Sequence, residues 1–279
     1  MTSFDPPRPV VRRLVEDALA EDLGILGDIT SIACIEGNER GEAAFVARAD
    51  GVLAGTALAT ETYRQVDETL VVEWDVHDGD QVGAGTRLGR VSGGLRAILT
   101  GERTALNFMC HCSGIATMTH RYVTAAQGQV RVLDTRKTLP GLRAVQRAAV
   151  RAGGGFNHRD SLSDAVLIKD NHVAAVGIEK AIERTRSAWP GRMIEVECDS
   201  IEQVDEARAA GADRVLLDNM TVEEVRNAAL IVEGVAEVEV SGGITLETIA
   251  AYAQTGADFI SVGALTHSVV VFDIGLDMS

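Results

Sequence analysis

Residues 214–243 read RVLLDNMTVEEVRNAALIVEGVAEVEVSGG. A short β-rich apolar run ends in the polar Asp218, a helix-like segment follows, and a second apolar run ends in Ser241-Gly242-Gly243. A parallel strand pair needs a crossover of this length, so the stretch reads as a βα unit followed by the next strand. The same rhythm extends to both sides, in VRVLDTRKT, AVLIKDNH, MIEVECDS and FISVGALTHS. The polar residues at the ends of the runs are Asp134, Lys169, Glu197, Asp218, Ser241 and Gly263, spaced 35, 28, 21, 23 and 22 residues apart. Six consecutive units with no change of pattern favour a closed barrel over an open sheet. Barrel active sites form at the carboxyl ends of the strands, where these polar residues fall. Any one of them reads equally well as a helix cap or turn residue. Six together do not.

Ahead of the barrel the pattern is different. Residues 9–23 read as an amphipathic helix ended by Gly24. From 41 to 98, short alternating runs broken by glycines (EAAFVARADGVLAG, VVEWDVHDGDQVGAG, TRLGRVSGG) predict strands and turns. Residues 101–127 carry helical spacing at Ala105, Phe108, Met109, Cys112, Ile115 and Ala116, with Ser113-Gly114 as a break between two helices. The domain boundary is placed there, giving 1–112 and 113–279. VHDGDQVGAGTRLGRVSG is similar to the turn of lipoyl or biotinyl carrier domains, but residues 1–136 contain no lysine to carry such a group. Cys110-His111-Cys112 lies inside the helical pattern without a CxxC or a spaced His pair, so it reads as core packing and not as a metal site. No apolar run reaches membrane-span length, the N-terminus lacks a signal-type stretch, and four cysteines make no disulfide framework in a chain of 279 residues. A reducing cytoplasm is the expected address.

A net charge of −15 argues against nucleic-acid or anionic-membrane partners unless the cations are segregated. They are. Between Arg131 and Lys169 lie eight of the 26 Lys+Arg and only three of the 41 acids. Only one aromatic ring, Phe156, falls among them, and so sparse an interleaving favours a pocket for a small polyanion over a nucleic-acid face. The chain has only three lysines, Lys137, Lys169 and Lys180. The first two sit in the basic stretch, where a compact ammonium fits a place that a planar guanidinium would not. Lys180 reads as a surface residue of a helix.

At the late strands, Ser241-Gly242-Gly243 before a helical LETIAAYAQTG offers backbone N–H groups and a helix N-terminus to a phosphate, and VGALTHS after the next strand completes the cradle. Glu197 and Asp218 end adjacent middle strands, where carboxylates hold Mg²⁺ with a substrate's phosphates or accept from ribose hydroxyls. Their plainer reading is a pair of acids ion-paired to nearby Lys or Arg. Glu195, two positions earlier, points to the same face as Glu197, which leaves open which carboxylate acts. Arg136, Lys137, His158, Arg159 and Lys169 gather at the first two strand ends and suit a ligand with more than one carboxylate.

Taken in order, EDLGILGDIT, GERTALNF with SGIAT, DTRKTLPGLR, GGGFNHR, IKDNH, EVECDS, LLDNM, EVSGGI and ISVGALTHS resemble the quinolinate phosphoribosyltransferases (decarboxylating), the nicotinate-nucleotide pyrophosphorylase family of NAD biosynthesis. Departures are small: Arg147 stands where the family pattern has Lys, and ILGDIT is one residue longer than the usual loop. The resemblance implies an N-terminal α/β sandwich domain and an incomplete α/β (TIM-like) barrel of six to seven βα units, with a C-terminal segment packing back on the N-terminal domain. It implies a homodimer or higher oligomer whose active site lies at the subunit interface, one subunit's N-terminal domain covering the partner's barrel mouth. Carried over by motif, Arg103 reaches quinolinate across that interface, and Thr135, Arg136, Lys137, His158, Arg159 and Lys169 line the dicarboxylate site. Glu197 and Asp218 face the ribose and the magnesium pyrophosphate, binding Mg²⁺ directly or through water. Ser241, Gly242, Gly243, Val262, Gly263, Ala264 and His267 hold the 5′-phosphate. Lys137, Lys169, Glu197 and Asp218 form the implied catalytic set. The implied reaction couples quinolinate to 5-phosphoribosyl 1-pyrophosphate, releasing nicotinate mononucleotide, pyrophosphate and CO₂. A related barrel acting on another aromatic acid, or a non-catalytic sensor of a phosphorylated ligand, stands as the alternative.

Overall fold

The computed structural model describes residues 4–279. The chain divides into two compact units, one made of residues up to His120 with 138–154 and 265–279, the other of 121–137 and 155–264.

In the first unit, helix α1 (Arg8–Leu23) buries Val11, Val15 and Leu19, one stripe at helical spacing. Helix α2 (Ile29–Cys34) is capped by Asp28, whose carboxylate accepts the Ser31 N–H at 2.9 Å. Strand β1 (Arg40–Ala47) is followed by β2 (Gly51–Val52), helix α3 (Thr56–Val66), β3 (Val71–Trp74), β4 (Gln81–Val82) and β5 (Arg87–Gly94). Next in the chain come α4 (Leu95–Ala125) and, after β6 (Arg131–Leu133), which belongs to the second unit, α5 (Arg143–Ala152). The main sheet is antiparallel and closes on a distant partner: β12 (Ile274–Met278) pairs with β1, which pairs with β5, which pairs with β3. Phe45, Leu88 and Val91 of the sheet pack against Tyr63 of α3 and Ile98 and Met109 of α4, so the helices cover one sheet face as an α/β sandwich. The Phe45 ring lies 4.9 Å from Trp74 and 6.1 Å from Tyr63.

Helix α4 runs unbroken through Ser113-Gly114, contrary to the two helices expected there. The two small residues serve close approach and not chain reversal. The Ser113 hydroxyl donates to the Ala54 carbonyl at 3.0 Å and accepts the Ala54 N–H at 2.9 Å. A Cβ on Gly114 would collide with the Val270 carbonyl. Cys110 and Cys112 are core residues of this helix, and all four cysteines are unbridged.

The second unit holds β6 and, in order, β7 (Val166–Ile168), α6 (Asp170–Val176), α7 (Ile178–Ala188), β8 (Ile194–Cys198), α8 (Ile201–Ala209), β9 (Arg214–Asp218), α9 (Val222–Val232), β10 (Glu237–Ser241), α10 (Ile249–Ala253) and β11 (Phe259–Ser261). A four-residue helix, α11 (Ala264–His267), follows. The six strands are parallel, in the order β6-β11-β10-β9-β8-β7. The earliest strand pairs with the latest, as in a barrel, but no ladder joins β6 to β7 among the described residues. The closed barrel favoured by the six repeats alone is therefore an incomplete one, as the family resemblance implied. The segment before β7 explains the gap: it makes a single bridge, Phe156 to Leu133, and otherwise runs as loop and turns.

Strand alternation separates two environments. Ile194, Val196, Val215, Leu217, Val238 and Val240 are fully or almost fully buried, as are Val204, Val225 and Ala228 of the crossover helices. The opposite face carries Glu195, Glu197, Arg214, Asp218, Glu239 and Ser241. Their register pairs, Glu195 with Arg214 and Ser241 with Asp218, place them on one side of the sheet. No helix among the described residues is long and apolar enough to cross a membrane.

Candidate active site

Because all six strands of the second unit run the same way, their carboxyl ends share one rim. Lys169 follows β7, Glu197 lies in β8, and Asp218 and Ser241 end β9 and β10. Lys169 Nζ forms an ion pair with Glu197 Oε2, so Glu197 has the cationic partner that its plainer reading called for. Burial raises the Asp218 carboxyl above the usual range, and the Glu197 charge raises it further, while Lys169 and Lys137 pull the other way. Two like carboxylates and two ammonium groups thus act on one another at this rim. Two carboxylates placed this way fit a divalent cation.

The loop after β6 brings Thr135, Arg136 and Lys137 to the same rim, with the Thr135 hydroxyl accepting the Lys137 N–H at 3.1 Å. Lys137 is exposed and Arg136 half-buried. Burial and the Arg136 charge both lower the Arg159 guanidinium, which puts these two arginines in mutual range. The Arg159 side chain also donates to the Ala165 carbonyl at 3.1 Å. His172 accepts the Lys169 N–H at 2.9 Å and thereby fixes the start of α6, while Asp170 accepts the N–H of Asn171 at 2.7 Å.

The turn after β10 depends on glycine. Gly242 and Gly243 adopt φ of +93° and +62°, left-handed conformations open to residues without a Cβ. Asn219, itself at φ +58°, donates its N–H to the Ser241 carbonyl at 2.9 Å. A Cβ on Gly242 would strike the Asn219 side chain, so the turns after β9 and β10 lock together. Asn219 also donates to Asp218 Oδ2 at 2.8 Å and so orients that carboxylate. The helix N-terminus expected directly after SGGIT is displaced: Thr245 and Thr248 form a turn, and α10 begins only at Ile249. Val262 is buried, with its N–H on the Leu133 carbonyl at 3.0 Å, and Gly263 and Ala264 follow at the end of β11. Arg103, exposed on α4, and His267, exposed at the end of α11, belong to the other unit.

One layer deeper lies a cluster that strand ends alone do not reveal. His158 Nε2 sits 2.9 Å from Glu195 Oε2 and 3.3 Å from Glu239 Oε2, and Arg214 reaches the same Glu239 oxygen at 3.2 Å. Burial by itself would lower the imidazole, but hydrogen bonds and charge from the two carboxylates outweigh it and raise His158 to about 10. Glu195 is raised to about 7 by burial and by the Glu239 charge. Burial opposes charge on Glu239 too, yet the His158 contacts lower it, so Glu239 is the ionised member of the pair. Asp134, read as a strand-end residue, turns out to be buried. Its carboxylate accepts from Asn157 at 2.6 Å and from the His158 N–H at 2.8 Å, clamping the loop that delivers the ring. Glu195 therefore serves the deeper layer and Glu197 the rim, which separates the two acids that the sequence left undivided.

The residues that sequence reasoning missed are Asn219, Asn157 and Glu239. Glu239 had a detectable signal, an acid two positions before Ser241 on an inward-facing strand. Asn219 and Asn157 had none beyond adjacency to a strand end and to His158.

Comparison with known proteins follows the same division. The N-terminal domain of quinolinate phosphoribosyl transferase matches residues 28–113, and its C-terminal domain matches residues 115–277. A Mycobacterium leprae (strain TN) protein named nicotinate-nucleotide pyrophosphorylase (carboxylating) is 45% identical, covering 99% of this chain and 98% of its own. A Bacillus subtilis (strain 168) protein, named as a probable enzyme of the same kind, is 43% identical over 96% of this chain and 93% of its own. The structure of a nicotinate-nucleotide pyrophosphorylase from Francisella tularensis superposes with a TM-score of 0.94 at 40% identity, covering 99% of this chain and 98% of that one.

Proposed function

The chain belongs to the quinolinate phosphoribosyl transferase family, and from that premise we infer how its barrel rim performs the family reaction. Phosphoribosyl passes from 5-phosphoribosyl 1-pyrophosphate to quinolinate with decarboxylation, giving nicotinate mononucleotide, pyrophosphate and CO₂ in de novo NAD biosynthesis. The observation that carries the residue assignment is the mutual action of Lys137, Lys169, Glu197 and Asp218 at one rim, beside Arg136 and Arg159.

Arg136, Arg159, Lys137 and Lys169 bind the two carboxylates of quinolinate, together with Thr135 and His158. Forked and point-like cations in one place suit a rigid dianion. Ser241, Gly242 and Gly243 hold the 5′-phosphate through backbone N–H groups, joined by Val262, Gly263 and Ala264. His267 completes the phosphate site. Glu197 and Asp218 would hold Mg²⁺, which would supply positive charge to the pyrophosphate leaving group. The same two carboxylates face the ribose and stabilise positive charge at its anomeric carbon as the pyridine nitrogen attacks. Attachment makes the ring nitrogen cationic, so the electron pair left on the adjacent ring carbon by departing CO₂ is stabilised as an ylide, and that carbon then takes a proton from solvent to give nicotinate mononucleotide. No covalent nucleophile is required. Positioning and electrostatics carry the rate. Lys169 begins on Glu197, so an incoming carboxylate competes for that ammonium and releases Glu197 toward the ribose.

Arg103 is assigned to the partner subunit's quinolinate site in a homodimer. Its exposure on α4 supports this, as do Ile25, Leu26, Ile29 and Ile32, which leave an apolar patch uncovered on the same unit. Four unbridged cysteines support a cytoplasmic setting. The test is direct: purified protein is given phosphoribosyl pyrophosphate and Mg²⁺ with either quinolinate or nicotinate, and CO₂ and mononucleotide are measured. Turnover of quinolinate alone is the expected result, lost on chelation. Equal use of nicotinate would overturn the dicarboxylate assignment, and sedimentation at catalytic concentration reads the dimer.

A further inference from the structure

His158, Glu195 and Glu239 pose a problem that the rim does not. Both glutamates are 0% exposed, and Glu195 Oε1 and Glu239 Oε1 have no hydrogen-bond partner. Buried carboxylates are expensive, and well-packed apolar residues of similar size would serve stability as well or better. The same face of the sheet is filled otherwise next door: Leu216, the register partner of Glu239 on the adjacent strand, is apolar. The two acids act on one ring. Nε2 of His158 is shared between them, and the backbone of the same residue is held by Asp134, so ring and main chain are fixed from opposite sides. Glu195 lies one inward position below Glu197, about 6–7 Å along the strand, which sets the His158 ring beneath the rim where Lys169 meets Glu197.

We propose that Glu195 and Glu239 are positioning residues for the phosphoribosyl transfer, holding the His158 ring cationic and in a single orientation as a fixed positive floor for the dicarboxylate. With Nε2 committed to the acids, contact with substrate runs through the opposite edge of the ring. Mobile lysines at the rim and an immobile imidazolium below them then divide the work: the lysines follow the substrate, and the histidine registers it. Arg214, bonded to Glu239 and to Glu237, and stacked 4.1 Å over Phe259, keeps Glu239 from swinging away. The three groups also lie within 4.8 Å of one another, as metal ligands would. An imidazole that shares its Nε2 proton with carboxylates has no lone pair there for a metal, so the two readings exclude each other.

This inference rests on the assignment of His158 to the quinolinate site, and its test separates the two. E195Q, E239Q, H158N and the double variant H158N/E239Q are assayed in the full chain, with thermal melting to verify folding. E239Q is expected to raise KM for quinolinate about tenfold while leaving KM for phosphoribosyl pyrophosphate unchanged within about twofold. The double variant should be no worse than H158N alone, because Glu239 acts through the ring. Nitrogen NMR of labelled histidine at about pH 8, above the ~6.5 of an unperturbed imidazole, should give a doubly protonated His158 ring in the wild type and a neutral one in the double variant E195Q/E239Q, which removes both carboxylates. Equal rises in both KM values, additive losses in H158N/E239Q, or a neutral wild-type ring would each overturn the proposal. So would tight binding of one Zn²⁺ that H158N abolishes. Should the glutamine variants fail to fold, the wild-type ring signal still decides. Absence of quinolinate turnover by the wild type would sink the reaction assignment instead, with the ring signal unaffected.

Discussion

At Lys169 a single ammonium pairs with the Glu197 carboxylate, and the role proposed for it adds a substrate carboxylate as its second partner. Lys169→Ala removes both roles and leaves Glu197 and Asp218 facing each other without that cation. We expect kcat/KM for quinolinate to fall by about a hundredfold or more, read by steady-state kinetics, with a smaller loss for Lys169→Arg. A near-wild-type rate in Lys169→Ala would remove the role assigned to it. His158 gives a prediction about pH. Its folded-state pKa, about 10, lies above that of the unfolded chain. Its contribution to stability is therefore complete below the ~6.5 of a free imidazole and is lost as pH rises through about 10. Denaturation midpoints measured across that alkaline range should decline, and H158N should lack that component of the decline. Residues of this kind were unevenly legible. Lys169, Glu197 and Asp218 could be read because each ends an apolar run. His158 could be named but not aimed, since its partners lie 37 and 81 residues away, on strands that only the folded sheet brings together.

Among the elements, α4 and the turn after β10 show glycine used in opposite ways. Gly114 has ordinary helical geometry but no room. Replacing an exposed helical glycine with alanine gains about 1 kcal/mol from propensity. Here the added methyl meets the Val270 carbonyl and the Val269 side chain. We expect Gly114→Ala to lose about 1–3 kcal/mol net, overpacking outweighing propensity, as seen by chemical denaturation. Gly242 lacks both room and a permissible φ. Gly242→Ala should cost about 1–3 kcal/mol from backbone strain and raise KM for phosphoribosyl pyrophosphate more than KM for quinolinate. Equal effects on the two would argue against a phosphate role for the turn. The sequence could not tell these glycines from a helix break or an ordinary turn, because the deciding atoms belong to residues 269–270 in one case and to Asn219 in the other. The βα rhythm was legible because it is local. The missing ladder between β6 and β7 was not, since six repeats look alike whether or not the sheet closes.

For the whole molecule, β12 is the test of how far the C-terminal strand matters. It pairs with β1 from Ala43–Met278 to Ala47–Ile274, and Ile274 lies in the first unit's core. Removing residues 274–279 uncovers the β1 edge, and we expect a lower melting temperature with concentration-dependent aggregation seen by light scattering. Unchanged melting and a clear solution would show that β1 does not depend on its partner. The pairing of β1 with β12 also fixes an order of events. In each of the two larger sheets, strands wait for a partner encoded downstream: β1 for β12, and β6 and β10 for β11. While the ribosome has delivered only residues up to 258, neither partner exists, and those strand edges stand open however well the intervening units have formed. Long-range pairings of this sort are slow to form and prone to wrong partners. Both sheets are therefore completed late, after every preceding unit has been synthesised, and crowding between nascent chains bears on yield at those edges before anywhere else.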